Sequence, residues 1–189
     1  MSFSEDERAR LLALITEKSF NRADEVGGFE LASGATSTFY FDMKPSLLDP
    51  EGAALIGAAI FDRLAETEFD AIGGMAVGAI PIVAAVCALS WPARPIPAFF
   101  VRKDLKERGL ARAIEGNIAE NSRVVLVEDV TTTGGSVLKA VDAVEALGCT
   151  VVLVLTLVDR REGASAALDA RDITLDALYV RTDFGLDEA

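Results

Sequence analysis

The chain has 189 residues, 18 Lys and Arg against 30 Asp and Glu, a formal net charge of −12 and no histidine. That length fits one domain with a substantial core, and a hydrophobic share of 51% excludes disorder. The negative charge argues against a nucleic-acid or anionic-membrane partner, and the missing imidazole removes His-dependent serine triads, His-based zinc sites and imidazole acid–base catalysis.

Ser4 and Glu7 form a capping box ahead of Leu11, Leu12, Leu14 and Ile15, which predicts an amphipathic first helix. Met1 to Glu7 lacks the basic and apolar segments of a secretory signal, so a cytoplasmic protein is expected. Phe29-Glu30-Leu31 and Thr38 to Asp42 read as short strands around Ser33-Gly34, and Asp49-Pro50 caps a helix to about Leu64. Strands are then predicted near Ala71 to Met75 and over Ile96 to Val101, Arg123 to Glu128, Thr150 to Val158 and Leu175 to Val180. Helices fall between them, near Ala79 to Leu89, up to Leu147 before Gly148, and over Gly163 to Ala170. This alternation predicts an α/β fold, a mostly parallel sheet with helices on both faces. The apolar stretch Ala79 to Trp91 is broken by Pro81 and too short to span a bilayer, so a soluble protein is expected. Cys87 and Cys149 lack metal-ligand spacing and read as buried free thiols.

Residues 124–136, Val-Val-Leu-Val-Glu-Asp-Val-Thr-Thr-Thr-Gly-Gly-Ser, carry the strongest chemical signal. A buried strand leads into two carboxylates at its carboxyl end, and a Thr/Gly loop then opens into a helix. Small residues at a helix start leave N–H groups free for an anion, the helix dipole adds positive potential, and the hydroxyls of Thr131, Thr132, Thr133 and Ser136 add donors. Carboxylates beside a phosphate site must address something else, and sugar hydroxyls are suitable donors. An acidic strand end or a tight Thr-Gly-Gly turn is ordinary by itself; the two in this order fit a phosphoribose. No G-x-x-x-x-G-K-[ST] or G-x-G-x-x-G motif competes.

In open parallel sheets, ligands bind beyond the carboxyl ends of the strands, so Ala76 to Pro81, Arg102 to Glu115 and Asp159 to Glu162 are expected to converge there. Residues 102–112 hold five cations and two acids, an island of positive charge that is an ordinary mixed-charge surface loop by itself and, beside a phosphoribose site, is suited to closing over an anionic group.

Residues 124–136 resemble the signature of the type I phosphoribosyltransferases. Four segments in order, Leu31 to Lys44, Arg102 to Gly116, the Glu128-Asp129 motif and Asp159 to Gly163, narrow the resemblance to the orotate phosphoribosyltransferase family. The resemblance implies a single domain over 1–189, with a hood of approximately 1–45 plus part of the C-terminus over a core of approximately 50–180. It implies transfer of phosphoribose from phosphoribosyl pyrophosphate to orotate in pyrimidine biosynthesis, with Mg²⁺ required and the basic loop shared across a homodimer. By the same resemblance Arg102, Lys103 and Lys106 contact pyrophosphate. Glu128 and Asp129 hold the ribose, with Asp129 assisting catalysis, and Val130, Thr131, Thr132, Thr133, Gly134, Gly135 and Ser136 surround the 5′-phosphate. Tyr40 and Phe41 line the base, and Thr132 and Arg160 contact orotate, whose ring carboxylate suits a guanidinium fork. Alternation nevertheless implies that at least one of Phe39, Tyr40 and Phe41 is plain core. A strained peptide bond near Ala76-Val77, aiming backbone N–H groups at pyrophosphate, is also implied. Ala32, Arg108 and Gly78 depart from family positions that often carry Lys, His and Lys, and Lys44 or Arg108 is expected to restore some of that charge. A purine or uracil phosphoribosyltransferase and a phosphoribosyl pyrophosphate-sensing regulator remain alternatives.

Overall fold

The computed structural model describes residues 2–23, 28–30, 36–103 and 113–187. Helix α1 (Glu5–Lys18) starts at the expected capping box: Glu7 N–H donates to Ser4 Oγ and Ser4 N–H donates to the Glu7 carboxylate. Its buried face is Leu11, Leu14 and Ile15. Strand β1 (Phe20–Arg22), absent from the sequence reading, is only three residues long. Strands β2 (Phe29–Glu30) and β3 (Thr36–Ser37) form a small antiparallel pair, and β4 (Phe39–Phe41) pairs with β1, Phe20 opposite Phe41. The short α2 (Lys44–Leu47) leads to α3 (Pro50–Arg63), whose N-terminus is capped by Asp49 accepting from Glu51 and Gly52 N–H.

Strand β5 (Ala71–Gly74), α4 (Ala79–Ser90) and β6 (Phe99–Val101) follow. Next come β7 (Ile114–Gly116), β8 (Arg123–Thr131), α5 (Gly135–Glu145), β9 (Thr150–Asp159), α6 (Ala164–Asp169), β10 (Leu175–Val180) and a 3₁₀ turn over Arg181–Phe184. The parallel sheet runs β10-β9-β8-β5, and β6 continues it through parallel bridges from Ala98 to Ile72 and from Val101 to Met75. Strand β7 pairs antiparallel with β6 and was too short a signal to read in sequence.

Central strand β8 alternates between two layers. Val125 and Val127 join the core under α1, α3 and α4, while Val124 and Leu126 face Val137, Val141 and Val144 of α5. This two-sided burial explains the continuous apolar run. Pairing with β9 continues through Glu128 opposite Thr156, Val130 opposite Val158 and Thr131 opposite Asp159. The strand therefore runs past Glu128, its expected end, and the acidic doublet sits inside it.

Among the described residues no helix is long and apolar enough to cross a membrane. Both cysteines are free; Cys149 is buried, whereas Cys87, on α4, is only half-buried.

Candidate active site

The doublet on β8 is asymmetric because successive strand residues point to opposite faces. Glu128 is 6% exposed, and its Oε2 has no hydrogen-bond partner. Burial, reinforced by the neighbouring Asp129 charge, pushes its carboxyl pKa up to about 8, with the Ser136 hydroxyl offsetting only part. Asp129 is half-buried, and its Oδ1 accepts from Val130 N–H at 2.9 Å. Val130 thus fixes Asp129 through its amide while its side chain packs on the core.

The bend after β8 combines closed and open donors. Thr131 is 2% exposed, and its hydroxyl donates to Asp159 Oδ1 at 3.1 Å, which corrects the expectation that it faces an anion. Thr132 is half-buried, Thr133 is exposed, and Gly134 has φ 84°, a left-handed conformation suited to glycine. Helix α5 makes its first internal bond from Leu138 N–H to Gly134 C=O at 2.9 Å. Among the described residues no backbone carbonyl accepts from the amides of Thr133, Gly134, Gly135 or Ser136. These are the orphan donors of a helix start, and they point positive potential at whatever lies there.

The loop after β9 is stitched to this bend. Arg160 N–H donates to Thr131 C=O at 3.0 Å, Ala164 N–H donates to Thr132 C=O at 3.0 Å, and Asp159 Oδ1 also accepts from Arg161 N–H at 2.9 Å. The Arg160 side chain is buried yet anchored on several sides. Its Nε donates to Glu162 Oε1 at 2.9 Å and its Nη2 to Ser37 Oγ at 3.2 Å, while its guanidinium lies 4.3 Å from the Phe39 ring centroid. Arg181 also approaches that ring, at 5.3 Å.

The aromatic wall differs from expectation. Tyr40 is 41% exposed, whereas Phe41 is buried against Phe20 and Phe184, with centroids 4.9 and 4.8 Å away. Adjacent residues of β4 cannot face one pocket together, so Phe41 is core, as alternation required of at least one of the three. Phe39 is buried too and supports Arg160. The roles of Phe39, Ser37 and Glu162 were missed in sequence; only the Arg160–Glu162 spacing hinted at one of them.

Lys44 opens α2 and its Nζ donates to Asp42 Oδ1 at 2.5 Å. That hydrogen bond chiefly holds its pKa above the ordinary lysine value, with smaller contributions from the charges of Asp42, Tyr40 and Asp129. Arg102 closes the neck of the basic loop: its Nη1 donates to Glu115 Oε1 at 2.7 Å, its N–H donates to Ala113 C=O at 2.8 Å, and its buried Nε has no partner. Lys103 is exposed. Lys106 and Arg108 lie outside the described residues.

The Ala76–Val77 peptide bond is cis, at the place the resemblance indicated. Ala76 N–H donates to Val101 C=O at 2.7 Å, so the turn after β5 sits between β6 and the doublet on β8.

The phosphoribosyl transferase domain family matches residues 46–188. The orotate phosphoribosyltransferase of Rhodopseudomonas palustris strain BisB18 is 48% identical over 182 residues, covering 94% of this chain and 95% of that protein. Mycobacterium tuberculosis orotate phosphoribosyltransferase in complex with Fe(III) dicitrate superposes with a TM-score of 0.82 at 37% identity, over 95% of this chain and 99% of that one. The same enzyme in complex with 5-phospho-α-D-ribosyl 1-diphosphate gives 0.78 at 36% identity over the same shares. Likeness on this scale means that this chain belongs to the orotate phosphoribosyltransferase family.

Proposed function

We propose that this chain transfers phosphoribose from phosphoribosyl pyrophosphate to orotate, releasing pyrophosphate with inversion at the anomeric carbon. The observation that carries this reading is the continuity of the doublet with the bend. Glu128 and Asp129 lie on the strand that feeds directly into the open amides of Thr133 to Ser136. A phosphate on those amides leaves the sugar beside the carboxylates. Glu128, largely protonated at neutral pH, both donates to and accepts from a ribose hydroxyl, while Asp129 supplies negative charge next to the sugar.

Bond breaking at the anomeric carbon develops positive charge on the ribose and negative charge on the departing pyrophosphate. Asp129 favours the first. Arg102, Lys103 and Lys106 are assigned to the second, together with the backbone of the cis turn, and Lys44 is assigned as a further cation. Arg160 faces the carboxylate of orotate, Tyr40 covers the base, and Thr132 completes the contact. Arg108 is assigned to the basic loop as a further cation. Orotate arrives as an anion, so a chain without histidine needs no strong general base.

Mg²⁺ fits this donor set. The half-buried Asp129 would offer a carboxylate to an ion held mainly by phosphate and water oxygens, while the protonated Glu128 stays with the ribose. When bound, the ion would neutralise growing charge on the pyrophosphate.

A cytoplasmic homodimer completes the reading. Helix α4 carries no charged residue, and Leu89 in its last turn and Trp91 just beyond it are exposed, as is Val77 before its first turn, apolar surface suited to a second copy. The decisive assay supplies Mg²⁺ and phosphoribosyl pyrophosphate with orotate, uracil, adenine or hypoxanthine in separate reactions. Orotate alone should be consumed; turnover of any other base in its place would overturn the substrate assignment.

A further inference from the structure

The Arg160 guanidinium already faces a carboxylate of the chain itself. Its Nε and Nη2 both lie against Glu162 Oε1, at 2.9 and 2.8 Å. An orotate carboxylate brought to that pair puts two negative charges on one cation, in a wall where Arg160 is 4% exposed and water screens little. A site that accepts an anion there needs a second positive charge close by.

Arg181 supplies it. Strand β10 runs parallel to β9 with Val180 opposite Asp159, so Arg181 leaves β10 where Arg160 leaves β9. The two guanidiniums share one ring: they lie 4.3 and 5.3 Å from the Phe39 centroid, and therefore within about 10 Å of each other. Arg181 is half-buried, and among the described residues its side chain makes no ion pair and no hydrogen bond, its Nε being buried without a partner. The other charges nearby offset one another. Asp159 and Arg161 stand together beside Arg160, and Arg22 and Asp187 border the cavity that Arg181 and Phe39 line. Asp183, the acid of the same 3₁₀ turn, is exposed and accepts from Val180 N–H. Arg160, Glu162 and Arg181 thus leave one positive charge over, which the carboxylate of an anionic base balances.

We propose that Arg181 is a specificity-determining residue of the base wall: it is the uncompensated cation beside Phe39 that lets a guanidinium already paired with Glu162 accept a second carboxylate. The inference rests on the assignment of Arg160 to the carboxylate of orotate. A unit charge about 10 Å away changes the binding of an anion roughly 2-fold in a water-like medium and on the order of 20-fold in a partly buried one, so an effect near tenfold is expected.

The test compares Arg181→Gln and Arg181→Lys, using orotate as substrate and its neutral carboxamide analogue as a competitive inhibitor of the same shape. Arg181→Gln should keep the circular dichroism spectrum of the parent and raise the KM for orotate about tenfold. The inhibition constant of the carboxamide, and phosphoribosyl pyrophosphate affinity by calorimetry, should stay within twofold, because neither depends on a charge at the base carboxylate. Arg181→Lys, which returns the cation, should bring the KM for orotate to within threefold of the parent. An unchanged KM for orotate in Arg181→Gln, equal weakening of orotate and carboxamide, or no recovery with lysine would each overturn the proposal. An Arg160→Ala variant with the KM of the parent for orotate would instead remove the assignment beneath it.

Discussion

The bend after β8 presents main-chain amides, whereas the wall around Arg160 presents side chains from three separate segments. Gly134, Gly135 and their neighbours need only a strand, a left-handed glycine and a helix start to aim N–H groups at a phosphate. Arg160 is oriented by Glu162, Ser37 and Phe39, which come from the loop after β9, from β3 and from β4. On the proposed reading, phosphate is addressed by backbone that most substitutions leave in place. On the same reading the base is addressed by a side-chain assembly that single substitutions dismantle, so the two halves should respond very differently to mutation.

The largest effect is expected at Arg160. Arg160→Ala removes the candidate partner of the orotate carboxylate and leaves Glu162 without its cation. Sites built to bind a polar group lose several orders of magnitude when the match is broken, so kcat/KM for orotate should fall on the order of 10³-fold. Phosphoribosyl pyrophosphate affinity, measured by calorimetry, should change little. Equal losses for both substrates would dissolve the distinction between the halves.

Glu128 gives the next effect, read in the free protein. Its pKa is raised from 4.5 to about 8, so the folded state holds a proton that the unfolded chain releases. The stabilisation is fully present below pH 4.5 and is lost as pH rises through 8. Glu128→Gln, neutral throughout, should flatten that decline, and urea unfolding at pH 5, 7 and 9 should show the variant gaining on the parent as pH rises. Parallel pH profiles would mean that Glu128 is ionised in the fold and that its proton plays no part on the ribose side.

The same contrast explains what the sequence disclosed. The proposed ribose-phosphate half can be read from the sequence because Val124 to Ser136 are contiguous: apolar run, carboxylates and Thr/Gly bend follow one another along the chain. What stayed hidden there was exact reach, since only pairing with β9 carries β8 on to Thr131 and turns the Thr131 hydroxyl inward to Asp159. Arg160 could be named from its residue type and context, but Ser37 is 123 residues away and nothing local marks it. Phe41 was misassigned because its facing depends on β1 pairing with β4, and β1 is too short to announce itself. Gly78 was noted only as lacking a lysine; the carboxylate resting on it appears only when β5 and β8 lie side by side.

Thr131 tests how far the two halves are mechanically joined. Thr131→Val keeps the shape and strand preference of the buried side chain but removes its hydrogen bond to Asp159. A hydrogen bond to a charged group contributes about 1.5–3 kcal/mol, and the surviving Arg161 N–H bond should hold the loss to the lower end, about 1.5 kcal/mol by urea unfolding. The KM for orotate should rise with it, because Asp159 anchors the loop that carries Arg160.

The smallest change is expected where side chains matter least. Thr133 is exposed and its backbone amide is open, so Thr133→Ala removes one hydroxyl while leaving every N–H of the bend in place. Its effect on phosphoribosyl pyrophosphate affinity should be about tenfold or less, equivalent to about 1.4 kcal/mol. Thr133→Pro alters the same position but deletes the amide itself. If the main chain reads the phosphate, calorimetry should show the proline variant binding far more weakly than the alanine variant. Equal losses would transfer phosphate recognition from the backbone to the hydroxyls, and both halves of the site would then be side-chain assemblies.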